Sequence, residues 1–255
     1  MISKNQIKYI QSLHLKKYRD VEGIFIIEGI KLVTEFINSD SFEIKEIFAT
    51  SEYISQYKSL LSLKKISVTE VSNDDLKRIS LQPSPNQVLA LVYSKTNNFN
   101  TDLAKNELTL FLDDIRDPGN LGTIIRMADW FGIKQVICSK TTTELYNPKT
   151  LQASMGAVLR VNVLYMDFTE LKNIIPNLPF YGAVLNGKNI YTTKLSHGVI
   201  IIGNEANGIS DAVLNSITHP ITIPAASNNG SESLNAANAC GMICSEFFRQ
   251  LNYSA

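Results

Sequence analysis

The chain reads as an α/β protein on three observations. Short apolar runs recur along it, clearest at 108–112 and 199–202, and each suits a strand buried on both faces. Between such runs apolar residues return at helical spacing, as Ile124, Ile125, Ala128 and Phe131 do. A polar stretch at 94–102 separates two strand-like runs, which divides the chain into a front unit over 1–97, a linker over 98–106 and a second unit over 107–255. Alternation from 108 onward predicts a parallel sheet sandwiched between helices.

In the front unit, Ile7, Ile10 and Leu13 give the apolar face of a helix, 23–29 reads as a strand and 30–37 as the helix after it. Strands follow at 44–49 and 88–92, the latter entered through a turn at Gln82-Pro83-Ser84-Pro85-Asn86-Gln87. This is a small α/β unit of its own.

The second unit carries three polar, glycine-marked turns, each after a strand. The first is Asp113-Asp114-Ile115-Arg116-Asp117-Pro118-Gly119-Asn120-Leu121-Gly122, where Pro118 and the glycines hand a strand over to a helix. Asn120 falls near the helix start and Arg126 about two turns in, at a junction that in an open α/β sheet faces the ligand crevice. The second turn, Gly203-Asn204-Glu205-Ala206-Asn207-Gly208-Ile209-Ser210, follows the strand at 199–202. The third follows a strand at 221–224 and runs through Ser231, Ser233, Leu234 and Asn235 into a last helix over 234–251, with Ser231 or Ser233 as N-cap. A strand at 180–184 ends in a turn at Leu185-Asn186-Gly187.

Composition bounds the function. With 255 residues, 44% hydrophobic and 19% charged, the chain is long enough for two domains and gives no case for disorder. No apolar run approaches the roughly 20 residues that cross a bilayer, and the amino terminus does not resemble a secretory signal, so a cytoplasmic protein without a membrane partner is expected. Cys240 and Cys244, four apart on the last helix, read as buried packing, and no metal is expected. No dinucleotide or phosphate-loop glycine motif follows a candidate strand, and no serine sits in a nucleophile elbow. Net charge is zero, which argues against binding polyanions by bulk attraction. Local distribution differs: the first 19 residues hold Lys4, Lys8, Lys16, Lys17 and Arg19 and no acid. Lys16, Lys17 and Arg19 form either a patch that neutralises RNA phosphates or an ordinary solvated helix face.

The three turns, in this order near the carboxyl end, resemble the signature motifs of the SpoU (TrmH-type) RNA ribose 2'-O-methyltransferases of the SPOUT superfamily. The resemblance is carried by Asp117-Pro118-Gly119-Asn120-Leu121-Gly122 with Arg126, by Gly203-Asn204-Glu205 with Gly208-Ile209-Ser210, and by Ile223-Pro224 with Ser233-Leu234-Asn235. Gln152-Ala153-Ser154-Met155-Gly156-Ala157 is similar to the family's Ser-x-Gly-Ala segment. One departure is that Ala236 and Ala237 stand where valine and serine usually follow the asparagine. Lys16-Lys17-Tyr18-Arg19 followed by Phe25-Ile26-Ile27-Glu28-Gly29 resembles the family's substrate-binding front domain, which is similar to ribosomal protein L30e.

The resemblance implies a carboxyl-terminal trefoil knot, a homodimer, and S-adenosylmethionine held by Leu185, Gly187, Gly203, Asn204, Ile223, Ser233 and Leu234. It implies ribosomal RNA as substrate, with transfer RNA or a catalytically silent RNA-binding protein as alternatives. A ribose 2'-hydroxyl is a weak nucleophile that must be aligned while its developing charge is stabilised. Arg126 suits that task, because a guanidinium stays charged and can bond an alkoxide and a phosphate together, and for the same reason it is a poor base. Asn120 orients the hydroxyl or Arg126, Glu205 holds an arginine or accepts from the ribose, and Asn235 completes the catalytic set. Taken singly, each has a plainer reading: a surface arginine, a helix cap, a solvated acid.

Overall fold

The computed structural model describes residues 2–226 and 233–253. Ser231, offered above as an N-cap, lies outside them. Chain contacts define two units, Met1–Thr96 with Tyr146–Leu159, and Asn97–Leu145 with Arg160–Ala255.

The first unit opens with helices α1 (Lys4–Ser12) and α2 (Lys16–Glu22), then β1 (Ile24–Glu28), α3 (Ile30–Asn38), β2 (Ile44–Ala49), α4 (Ser51–Gln56), α5 (Lys58–Lys64), β3 (Val68–Glu70), α6 (Asn73–Ile79) and β4 (Val88–Tyr93). Ser3 and Gln6 close a capping box that fixes where α1 begins. The left-handed Gly23 ends α2 and turns the chain into β1. The strands order β1-β4-β2-β3, with β4 antiparallel to β1 and β2, and β2 parallel to β3. Ile7, Ile10 and Leu13, the face expected from spacing, bury against Ile24, Ile26, Leu89 and Leu91.

The second unit begins with α7 (Thr101–Asn106), so the span 98–106 expected as a linker carries a helix, capped by Asn100 and burying Ala104. Next come β5 (Thr109–Leu112), α8 (Pro118–Trp130) and β6 (Gln135–Cys138). The following helix, α9 (Pro148–Ser154), packs with the first unit, where the Tyr146 ring stacks on Phe25 with centroids 4.4 Å apart. The Ser-x-Gly-Ala segment belongs with it: Ser154 is buried and donates to the Leu151 carbonyl at 2.8 Å. The chain returns through β7 (Asn162–Tyr165), α10 (Phe168–Ile174), β8 (Phe180–Asn189), β9 (Val199–Ile202), α11 (Asp211–Leu214), β10 (His219–Thr222) and α12 (Ala236–Tyr253).

Among the described residues these strands form one parallel sheet, ordered β10-β8-β9-β5-β6-β7. From β5 the chain winds outward through β6 and β7, then crosses to build the other half. The order therefore reverses between β5 and β9, which opens a crevice at their carboxyl ends. Phe111, Phe168 and Phe180 meet edge to face in the core on one side, and α12 packs on α8.

Candidate active site

Both crevice-forming strands end in a polar turn, and the two turns are tied together. After β5, buried Asp113 accepts the Ser210 backbone N–H at 2.8 Å. Asp114 is left-handed, at φ 57°, a conformation held from two sides. Its N–H donates to Ser139 Oγ at 2.9 Å, and its carbonyl accepts Asn204 Nδ2 at 2.8 Å. After β9, Asn204 and Gly208 exchange backbone bonds of 2.9 Å, and Asn204 Oδ1 accepts from Ala206 and Asn207. A Cβ at Gly203 would overlap the Gly208–Ile209 backbone, so glycine is required there by close approach.

Asp117 caps α8 by accepting the Asn120 N–H at 2.9 Å, with Pro118 at the first helical position. The Asp-Pro pair is the local signature of this cap. Capping places the Asn120 side chain on the crevice, where its Nδ2 donates to Glu205 Oε1. Its Oδ1 accepts Asn235 Nδ2 at 3.0 Å. Asn235 Oδ1 in turn accepts the N–H groups of Ala237 and Asn238 at 3.0 and 3.2 Å, which makes Asn235 the cap of α12. Ser233 does not fill that role among the described residues: the helix starts at Ala236, later than expected, and Ser233 is exposed before it. Asn120, Glu205 and Asn235, separated by 85 and 115 residues in sequence, thus form one directional chain of hydrogen bonds. It runs from the α12 amino terminus to a carboxylate, and Glu205 Oε2 has no partner among the described residues.

Arg126 lies on the exposed side of α8 and makes no hydrogen bond or ion pair with a described residue. The structure therefore groups three of the four expected catalytic residues and leaves the guanidinium free.

The residues expected to hold the cofactor divide. Leu185-Asn186-Gly187 is not the end of a strand, because β8 continues to Asn189. The register nevertheless jumps: Gly182 faces Pro220 while Lys188 faces Ile221, so residues 183–187 have no registered partner in either neighbouring strand. Leu185 is 73% exposed there, and Gly187 passes so close to the Ile221 backbone that a Cβ would overlap it. Gly203 follows β9 and Ile223 follows β10, so both belong to the same sheet edge. Leu234 is exposed just before α12. Asn204 holds the turn itself, its backbone bonded to Gly208 and its side chain to Asp114, Ala206 and Asn207.

The cationic patch also changes. Lys16 is exposed and paired with Asp20 at 2.6 Å, and Lys17 lies over the Tyr18 ring. Arg19 instead turns inward, buried, and donates to the Leu13 carbonyl at 2.7 Å, ending α1 rather than facing solvent. Periodicity could not separate these residues on a helix of only seven. Burial lowers the Arg19 pKa from its ordinary value. A cavity of about 320 Å³ lies in the first unit, lined by Ile26, Leu32, Leu151 and Gln152. Its buried Glu28 is already satisfied by Ser80 and Leu81. Among the described residues no cluster of His, Cys, Asp and Glu is suited to a metal, and no helix is long and apolar enough to cross a membrane.

Comparison with known proteins agrees with this geometry. The profile of the SpoU rRNA Methylase family matches residues 107–245, and that of the MRM3-like substrate binding domain matches 4–90. The 23S rRNA (guanosine(2553)-2'-O)-methyltransferase RlmP of Bacillus subtilis is 30% identical over 256 residues, covering 94% of this chain and 95% of that protein. A TrmH-family structure from Porphyromonas gingivalis superposes with a TM-score of 0.84 at 35% identity, over 98% of this chain and 99% of the other. An AdoMet-bound rRNA methyltransferase from Sinorhizobium meliloti gives 0.83 at 26% identity, over 100% and 97%. A sheet whose switch point gathers three distant motifs, together with a profile match over more than half its length, establishes that this chain belongs to the SpoU rRNA methylase family.

Proposed function

We propose that the protein is an S-adenosylmethionine-dependent RNA methyltransferase acting on a ribose 2'-hydroxyl, with ribosomal RNA as substrate. The observation that carries this is the Asn120–Glu205–Asn235 chain at the sheet switch point. S-adenosylmethionine supplies a methyl group made electrophilic by its sulfonium. The residues present fit such a molecule: the out-of-register backbone at 183–187, the Gly203 turn, Ile223 and Leu234 offer main-chain polar groups beside exposed apolar side chains.

The chain's own side chains align the nucleophile. Asn235, fixed by the α12 amino terminus, sets the amide of Asn120, and Asn120 fixes Glu205. The second oxygen of Glu205 is then positioned to accept a hydrogen bond from the ribose hydroxyl. Arg126, without a partner among the described residues, stabilises the oxygen as charge develops and holds the neighbouring phosphate. The first unit binds RNA, with Lys16 and Lys17 on its surface. Trp130, 82% exposed at the end of α8, and Met242 and Tyr253 on α12 give an exposed apolar face that suits a homodimer. The carboxyl-terminal knot and a cytoplasmic location belong to the same proposal.

The test is transfer of labelled methyl to large-subunit ribosomal RNA, with methylated riboses mapped after alkaline hydrolysis. Arg126→Ala is expected to abolish transfer while calorimetric affinity for S-adenosylmethionine stays near wild type. Full activity in that variant would remove Arg126 from the mechanism, and no transfer by the wild type to any ribosomal or transfer RNA would remove the function itself.

A further inference from the structure

One cation at the crevice is left unexplained by these assignments. Arg116 lies immediately before the α8 cap, at the positive end of a 13-residue helix, where a cation is disfavoured. It is nonetheless fixed in place. Its Nε donates to both carboxylate oxygens of Asp114, at 3.0 and 3.1 Å, while its side chain remains 71% exposed. Both Nη groups are without a partner among the described residues. Asp114 is itself anchored, since its left-handed backbone is held by Ser139 and by Asn204 of the second turn. The guanidinium is thus tied to the crevice floor by one nitrogen, with its other two presented outward.

We propose that Arg116 is a second RNA-binding residue of the active site, which grips a backbone phosphate of the substrate strand beside the target ribose while Asp114 holds its plane. The helix-end position supports this: electrostatic disadvantage in the free protein becomes complementarity once an anion sits between the guanidinium and the α8 amino terminus. The roles of the two arginines differ. Arg126 has no tether, whereas Arg116 is aimed in advance, so it lowers the ordering entropy of binding rather than following the reacting oxygen. This inference rests on the function proposed above.

The experiment measures binding of transcribed large-subunit ribosomal RNA over a salt series, alongside RNA KM, kcat and S-adenosylmethionine affinity. Arg116→Ala should raise the dissociation constant and KM for RNA about tenfold and reduce the salt slope by about 0.7, the value for one single-stranded phosphate. Cofactor affinity should stay unchanged. Arg116→Lys should restore the slope but only part of the affinity, because an ammonium lacks the fork. Asp114→Asn separates positioning from bulk charge, since asparagine also tolerates the left-handed backbone. Removing a negative charge would tighten RNA binding if only the field mattered, whereas reducing the two charge-assisted acceptors to one neutral amide oxygen loosens the tether and weakens it. Unchanged slope and KM in Arg116→Ala, or tighter binding in Asp114→Asn, overturns the proposal. Wild-type RNA binding without transfer would instead refute the enzymatic reading and leave the Arg116 result readable.

Discussion

Asn235 does two jobs with two atoms, and substitution can separate them. Its Oδ1 caps α12, and its Nδ2 reaches Asn120. Asn235→Ala removes both. Because the residue is exposed, the cap contributes at the low end of the usual range, about 0.5–1 kcal/mol, and the hydrogen bond to Asn120 adds about 0.5–1.5 kcal/mol. At about 2–4 °C per kcal/mol for a chain of this size, Tm should fall by roughly 2–10 °C. Asn235→Asp keeps the cap, strengthened by the helix dipole, but replaces the donor with a carboxylate facing Asn120 Oδ1. Tm should therefore stay within about 2 °C of wild type, while kcat/KM for methyl transfer falls at least tenfold, equivalent to about 1.4 kcal/mol of transition-state stabilisation. Paired thermal melts and transfer assays decide the matter. An Asn235→Asp protein that is stable and fully active would show that the hydrogen-bond chain is structural ornament and that alignment comes from elsewhere.

Three further outcomes follow from the structure. Gly203→Ala should destabilise by about 1–3 kcal/mol or more in urea melts, because the added Cβ meets only backbone, whereas Gly208→Ala, with open space around it and a left-handed φ of 69°, should lose about 1–2 kcal/mol. Arg19→Ala should weaken folding by about 1.5–3 kcal/mol and leave the salt slope of RNA binding unchanged, while Lys16→Gln with Lys17→Gln should do the reverse. Burial raises the pKa of Tyr53 and Tyr146 in the first unit above the ordinary tyrosine value of 10.0. A raised folded pKa contributes stability that is complete below the unfolded value and lost as pH rises through the folded one, so this unit should weaken above about pH 10. Absorbance titration should find Tyr53 and Tyr146 ionising late and together with unfolding.

What the sequence disclosed was chemistry that punctuates the chain: Asp117-Pro118, the glycines at 203 and 208, the strands before them, and the trio of Asn120, Glu205 and Asn235. These depend on local rules, a cap here and a close approach there. What it concealed depends on partners far away. The inward turn of Arg19 is decided by the open carbonyl at the end of α1, and the use of Asn204 by Asp114, 90 residues earlier. The register jump opposite Pro220 depends on a neighbouring strand whose alignment no periodicity announces. The cap of α12 falls to Asn235 rather than to Ser233, and its amide serves two partners at once.

The placement of Tyr146–Leu159 has a bearing on how this protein can be dissected. A peptide severed after residue 97 would lack the ring that stacks on Phe25 and the helix that lies against β1. Such a fragment would expose aromatic surface and aggregate rather than serve as a free-standing RNA-binding module. Swapping front domains among relatives would accordingly require carrying a second, discontinuous piece along.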